Sequence, residues 1–290
     1  MNETAKLILE IIKGSGLATG VDVSRYNVGV DFDDAEFKDT LDVIDYMMFR
    51  VSSGRADGTV YIDPTVDKYY AELLEHPMIV RDGYHYLSSH SDWKKQYDVF
   101  LEGVDGLELD ILTVDGERIY NTQSAQFAGY AYYFIKQLQK DFPDKRVKFY
   151  SNKYDYMGWF DAYYDFDQFP YHHAQYPWSK WVGVESYWLP SLLQFLKDAF
   201  SGSKTPNLPT SRSDYVLWQI GANTGIGYEL GFGADYLDIN VSRQPLEEFR
   251  RWAGLYSRIG PDPEPEMSLE ELVVWLKEMH KNTANHPPLK

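Results

Sequence analysis

From Gly20 onward, short apolar runs alternate with amphipathic stretches, and that rhythm limits the fold more than any other feature of the chain. The strand-like runs are "TGVDVS", "YMMFRVS", "MIVRDGYHYL", "GLELDIL", "VKFYSN", "FPYHHAQY" and "YVLWQIG". Helix patterns lie between several of them. "PTVDKYYAELLEH" puts Val66, Tyr69, Tyr70, Leu73 and Leu74 on one face, and "SDWKKQYDVFLEGV" and "SAQFAGYAYYFIKQLQKDF" repeat that spacing. Strand–helix alternation sustained over about 230 residues predicts a parallel sheet with helices outside it. A closed β/α barrel is the commonest solution at this length.

The flanks depart from the rhythm. Residues 1–18 read as a helical extension, with Leu7, Ile8, Ile11 and Ile12 at helical spacing. The barrel is expected over 19–258, with an insertion at about 181–213 that holds "LPSLLQFLKDAF" and the loop-like "SGSKTPNLPTSRSD". Residues 259–267 form a proline-rich acidic linker, and 268–290 a C-terminal helix and tail with a Ser268/Glu271 capping box.

Composition excludes some chemistry. The 290 residues carry 44 acids against 28 Lys and Arg, a net charge of −16, which argues against binding nucleic acid through its phosphates. No cysteine is present, so thiolate catalysis, disulfides and cysteine zinc sites are ruled out. No apolar run of membrane-spanning length occurs, and the first residues lack the basic and continuous apolar regions of a signal peptide. No cofactor is expected. "GANTGIGYELGFG" lacks the Lys-Ser/Thr of a phosphate loop, and His172 and His173, adjacent on a strand, point opposite ways with no third ligand in view. Aromatic residues reach 16%, with 24 Tyr and 8 Trp, and their flat faces with polar tips suit sugar rings.

Acids recur in the strand-like runs: Asp22 in "GVDVS", Glu108 and Asp110 in "GLELDIL", Asp235 and Asp238 in "ADYLDINVS". In a parallel barrel the C-terminal strand ends meet at one mouth, so these acids are expected to share a cleft. Paired carboxylates in a cleft are what glycoside hydrolysis needs: one protonates the leaving oxygen while another attacks or stabilises positive charge. Glu117, in the "TVDGE" turn, reads as an exposed turn residue, with a lean into the cleft as the alternative.

The pieces, in order, resemble the glycoside hydrolase family 25 lysozymes, the N-acetylmuramidases of bacteriophages and bacteria. "GVDVSRYN", "FRVSSG" with "YIDPTVDKYYAEL", "DGYHYL", "FYSN", "FPYHHAQY", "LWQIG" and "YLDINVS" carry the likeness, from Thr19 to Phe249. The resemblance implies an irregular TIM-like barrel of α/β class, with five β/α units and antiparallel closing strands. It implies Asp22 and Asp238 as active-site acids. The family's central motif is Asp-x-Glu, in which the Glu is the general acid. One register aligns Asp110 with the motif's Asp and leaves Leu112 in the Glu position. A second register gives Glu108 and Asp110 the two roles, in inverted order. The resemblance further implies that Tyr86, Tyr150, Tyr176 and Trp218 wall a sugar groove. Arg50, His85, Asn152, Gln175, Gln219 and Asp235 are then expected to bond substrate.

Three functional readings follow. The first is a peptidoglycan-cleaving muramidase acting on bacterial glycan strands, as a phage product that leaves the host cytoplasm for the wall or rides on the virion. The second is a degenerate relative that binds wall glycan or serves the virion as a structural protein, docked through its terminal helices. The third is an unrelated sugar-active barrel.

Overall fold

The computed structural model describes residues 3–27, 29–117, 124–179, 189–222, 227–228, 230–234 and 237–260. All but Gly260 belong to one unit, Met1–Ile259. The expected helix at 268–290, most of the linker, Asp235 and residues 181–188 of the insertion lie outside the described residues.

Eight strands close into a barrel: β1 (Leu17–Val23), β2 (Tyr46–Gly54), β4 (Val80–Tyr86), β5 (Ile111–Asp115), β6 (Arg146–Asn152), β7 (Tyr171–Ser179), β8 (Leu217–Ala222) and β9 (Asp238–Pro245). β3 (Val60–Ile62) is an antiparallel hairpin partner of β2. Each neighbouring pair from β1 through β8 is parallel. β9 runs antiparallel to both β8 and β1 and closes the ring. Its reversal brings its N-terminal residue, Asp238, to the end where the parallel strands finish, opposite Asp22 in register.

The crossovers carry α2 (Ala35–Leu41), α3 (Val66–Glu75), α4 (Trp93–Val104), α5 (Ser124–Asp141), and α6 (Lys153–Asp155), which runs into a π-helical turn at Tyr156–Phe160. The N-termini of α2 and α4 carry aspartate side-chain caps. Asp34 accepts from Glu36 N at 3.1 Å and Asp92 from Lys94 N at 2.9 Å. The helices bury one face against the outside of the barrel. In α3, Val66, Tyr69 and Leu73 are buried while Leu74 is half exposed. α1 (Glu3–Lys13) buries Ile8, Leu9 and Ile12 and packs on α7 (Leu189–Phe200). Among the described residues no helix is long and apolar enough to cross a membrane.

Strand alternation sorts the side chains into two populations. Outward residues such as Val147, Phe149, Leu112, Val114 and Trp218 join the large core beneath the helices. Inward residues fill the barrel in layers. The lowest layer is apolar, with Ala18, Tyr46, Val80, Ile111 and Leu217, and it is sealed from below by Phe249 and Ala253 of α8 (Leu246–Ala253) and by Leu255 of α9 (Leu255–Ile259). Gly20 is fixed by this packing, because a Cβ there would lie 2.0 Å from the Tyr46 carbonyl oxygen.

The middle layer is polar and fully buried. Lys148 Nζ pairs with Asp82 Oδ2 at 2.9 Å, and Asp82 also accepts from Tyr46 (2.5 Å) and Thr113 (2.6 Å). Lys148 Nζ donates to His172 Nδ1 at 2.9 Å, so His172 Nε2–H donates to Asn240 Oδ1 at 2.7 Å. Burial and the neighbouring ammonium hold His172 well below its ordinary pKa, in keeping with a neutral ring. Asn240 Nδ2 then donates to Asp22 Oδ2 at 3.0 Å. A directed chain of donors thus runs from the centre of the barrel to an acid at its mouth.

Candidate active site

At the mouth the inward residues open into a cleft of about 930 Å³. Its lining includes Asp22 from β1, Arg50 from β2, Tyr84 and Tyr86 from β4, Asp115 and Glu117 from β5 and the turn after it, and Tyr150 and Asn152 from β6. Tyr176, Gln219, Asp238, Tyr26 and Trp159 complete the walls. Five carboxylates, Asp22, Asp115, Glu117, Asp155 and Asp238, therefore converge there from four separate stretches of the chain.

Asp115 is the last residue of β5 and is buried, with Oδ1 lacking any hydrogen-bond partner. Burial, with Glu117 and Asp22 nearby, pushes its carboxyl well above the ordinary range, which favours its protonated form. Glu117 is half-buried and accepts from Tyr150 (2.8 Å) and Tyr176 (2.9 Å). Tyr150 Oη also lies 2.5 Å from Gln219 Oε1, so its single O–H is shared between Glu117 and Gln219, and Gln219 Nε2 donates to Asp22 at 2.6 Å. The two walls of acids are thereby linked through one tyrosine and one glutamine.

Burial raises the Asp22 carboxyl to about 6, while the bonds from Asn240 and Gln219 pull the other way. The consequence for stability has a definite sign. Native Asp22 keeps a proton that the unfolded chain releases near 3.8, so its stabilising contribution is complete below that pH and is lost as pH rises to about 6. Asp22→Asn is therefore expected to be about 1–3 kcal/mol more stable than the parent at pH 7.5 and to flatten the stability profile between pH 4 and 6. Urea denaturation across that range checks it, and an unchanged slope would refute the assignment.

The structure redistributes the residues expected from sequence. Asp22, Asp238, Arg50, Tyr86, Tyr150, Asn152, Tyr176 and Gln219 come together at the cleft. Glu108 and Asp110 do not. "GLELDIL" is mostly a loop before β5: Gly106 turns it with φ 76, Glu108 is exposed, and the strand starts only at Ile111. Asp110 is buried at the opposite end of the barrel. It accepts from Arg81 N at 2.9 Å and from Arg258 Nε and Nη2 at 2.9 and 3.0 Å. Leu112 sits within β5 with its side chain in the helix-side core, so it takes no acid's place at the mouth.

Alternation removes three more residues from the cleft. His85 faces the helices, bonded to Ser52 and Gln96 and stacked on Phe134, and burial lowers its pKa to about 4. Trp218 is buried behind β8 and donates to the Gln175 carbonyl at 2.9 Å. Gln175 points outward and accepts from Asn207 N. Sequence reasoning missed Asp115, Tyr84 and Asn240. Each was marked by alternation with a neighbour already chosen, or by an acid placed after, not before, the apolar residues of its strand.

The fold is the one seen in family 25 glycosyl hydrolases. Among solved structures, the chain is similar to a family 25 glycosyl hydrolase from Bacillus anthracis, with 19% identity, a TM-score of 0.58, and coverage of 81% of this chain and 92% of that one. It is also similar to the catalytic domain of endolysin ply40 from bacteriophage P40 of Listeria monocytogenes, with 16% identity, a TM-score of 0.54, and coverage of 82% and 98%. A third likeness is the modular Cpl-1 endolysin complexed with a peptidoglycan analogue, with 14% identity, a TM-score of 0.50, and coverage of 80% and 55%. No protein-family model and no curated protein sequence matches the chain.

Proposed function

We propose that the chain is a lysozyme-like glycoside hydrolase that cleaves the glycan strands of bacterial peptidoglycan. The observation that carries this reading is Asp115-Gly116-Glu117 at the mouth, which fits the Asp-x-Glu order of the family motif, with Asp22 and Asp238 in the same cleft. Glu117 is the proton donor to the leaving oxygen, because both acids line the cleft and Glu117 is the less buried of the pair. Asp22 and Asp238 supply negative charge toward the oxocarbenium-like centre. Asp115, buried beside Glu117 with an unpartnered Oδ1, positions the substrate. Tyr84, Tyr86, Tyr150 and Trp159 provide ring faces and hydroxyls along the groove. The phage origin and peptidoglycan ligand of the similar endolysins support placing its action at the cell wall, as a phage product released to the wall or carried on a virion.

The test is release of fragments from purified peptidoglycan, read by reducing-end formation and mass. New N-acetylmuramic acid reducing ends are expected. Ends of N-acetylglucosamine would assign the other glycosidic bond. Retained wall binding with no release would make the chain a binding protein.

A further inference from the structure

The charge of the cleft is not uniform. Its acids stand on β1, on β5 and the turn after it, on α6 and on β9, whereas the β1–α2 loop and the β2–β3 hairpin carry three arginines alternating with two tyrosine rings. Arg50 Cζ lies 5.0 Å from the Tyr26 ring centroid, and Arg25 Cζ lies 5.1 Å from that same ring. Arg25 Cζ is also 4.7 Å from the Tyr61 centroid, and Arg55 Cζ is 4.3 Å from it. The five side chains form a ladder that starts inside the cleft at Arg50 and ends on the exposed hairpin at Arg55.

We propose that this ladder is a subsite for carboxylate-bearing substituents of the glycan. The inference rests on the hydrolase reading above and names a part of its substrate. Stacking on the rings leaves the N–H edges of a planar guanidinium free for bidentate bonding to an oxyanion. Arg50 Nη2 is buried, has no hydrogen-bond partner, and belongs to a side chain that lines the cleft. The carboxylate beside it, Asp63, is already committed to Arg50 Nε, the Arg25 and Thr65 backbone N–H groups and the Thr65 hydroxyl. Three arginines against Asp63 and Asp57, which flanks Arg55 in the hairpin turn, leave the ladder a positive excess in a chain whose net charge is −16. The field converges on the exposed Tyr26 hydroxyl, which accepts from Arg25 Nη2 at 3.4 Å and is made more acidic by all three arginines. An anionic substituent is repelled by the acids of the far wall and attracted here, which sets the direction in which a strand lies in the groove.

The competing role is a clamp that merely pins the hairpin. The experiment uses the Glu117→Gln protein as a non-cleaving binder. Its probes are a muramic-acid-containing tetrasaccharide with free lactyl carboxylates, the same sugar with those groups converted to methyl amides, and a form whose carboxylates lie only on attached stem peptides. At low salt the free acid is expected to bind about tenfold tighter than the amide, and the gap should close at high ionic strength. Arg25→Gln/Arg55→Gln should bring the two affinities together. Arg55→Gln alone, on an exposed side chain, serves if the pair does not fold. Tight binding of the stem-bearing probe that needs the arginines would place the anion on the peptide. Equal affinities in the parent, or a gap that persists in the variant, would overturn the subsite and leave the hydrolase reading intact. Failure of every probe to bind would remove both.

Discussion

Glu117→Gln should abolish glycan release, lowering kcat by about 10²–10⁴-fold or more, while wall binding persists. The substitution keeps the shape of the side chain and its capacity to accept from Tyr150 and Tyr176, so the fold and the groove stay as they are. What it removes is the proton that, on the proposed mechanism, the leaving oxygen must receive. Asp110→Asn is the informative contrast. Asp110 is clamped by Arg258 at the far end of the barrel, so its loss should lower the melting temperature and leave turnover per folded molecule unchanged. Turnover measured on both variants under one set of conditions decides the matter. Activity surviving in Glu117→Gln but lost in Asp110→Asn would restore the acids of "GLELDIL" to the chemistry.

Lys148→Met should cost about 3–5 kcal/mol of stability, the range for removing one partner of a buried ion pair. Lys148 and Asp82 are both fully buried, and the methionine would leave Asp82 charged among partners that supply only two hydroxyl bonds. His172 would also lose the donor that fixes its tautomer, and with it the orientation of Asn240 toward Asp22. Lys148→Met/Asp82→Asn should recover a large part of the loss, since the orphaned charge is gone. Urea midpoints for the two single variants and the double close the cycle. A loss under about 1 kcal/mol in Lys148→Met would mean that the ammonium contributes little to the native state.

Much of the barrel was legible in the sequence because burial on two sides imposes apolar runs and helices between them impose their own period. The polar interior was less legible. "VKFYSN" reads as one apolar strand carrying a stray lysine, yet Lys148, Tyr150 and Asn152 all face inward while Val147 and Phe149 face the helices. The same alternation in "DGYHY" admits Tyr84 and Tyr86 to the cleft and excludes His85. The main error concerned direction, not composition. Asp110 precedes the apolar residues of its strand and Asp115 follows them. Only the second position lies at the mouth of a parallel barrel. Asp238 obeys the opposite rule because β9 runs backward, and no periodicity within β9 announces that reversal.

The closing strand has a further consequence, for how the molecule is made. Asp22 receives its bond from Asn240 across 218 positions of chain, and from Gln219 across 197. Contacts of such separation form late, because a long loop must be closed before any of them is rewarded. A nascent or partly refolded chain with β1 through β6 paired would already hold Asp115 and Glu117 on an ordered strand end, yet lack the partners of Asp22. On the proposed mechanism, catalytic competence is therefore a property of the last ring-closing event, and incomplete chains would be inert.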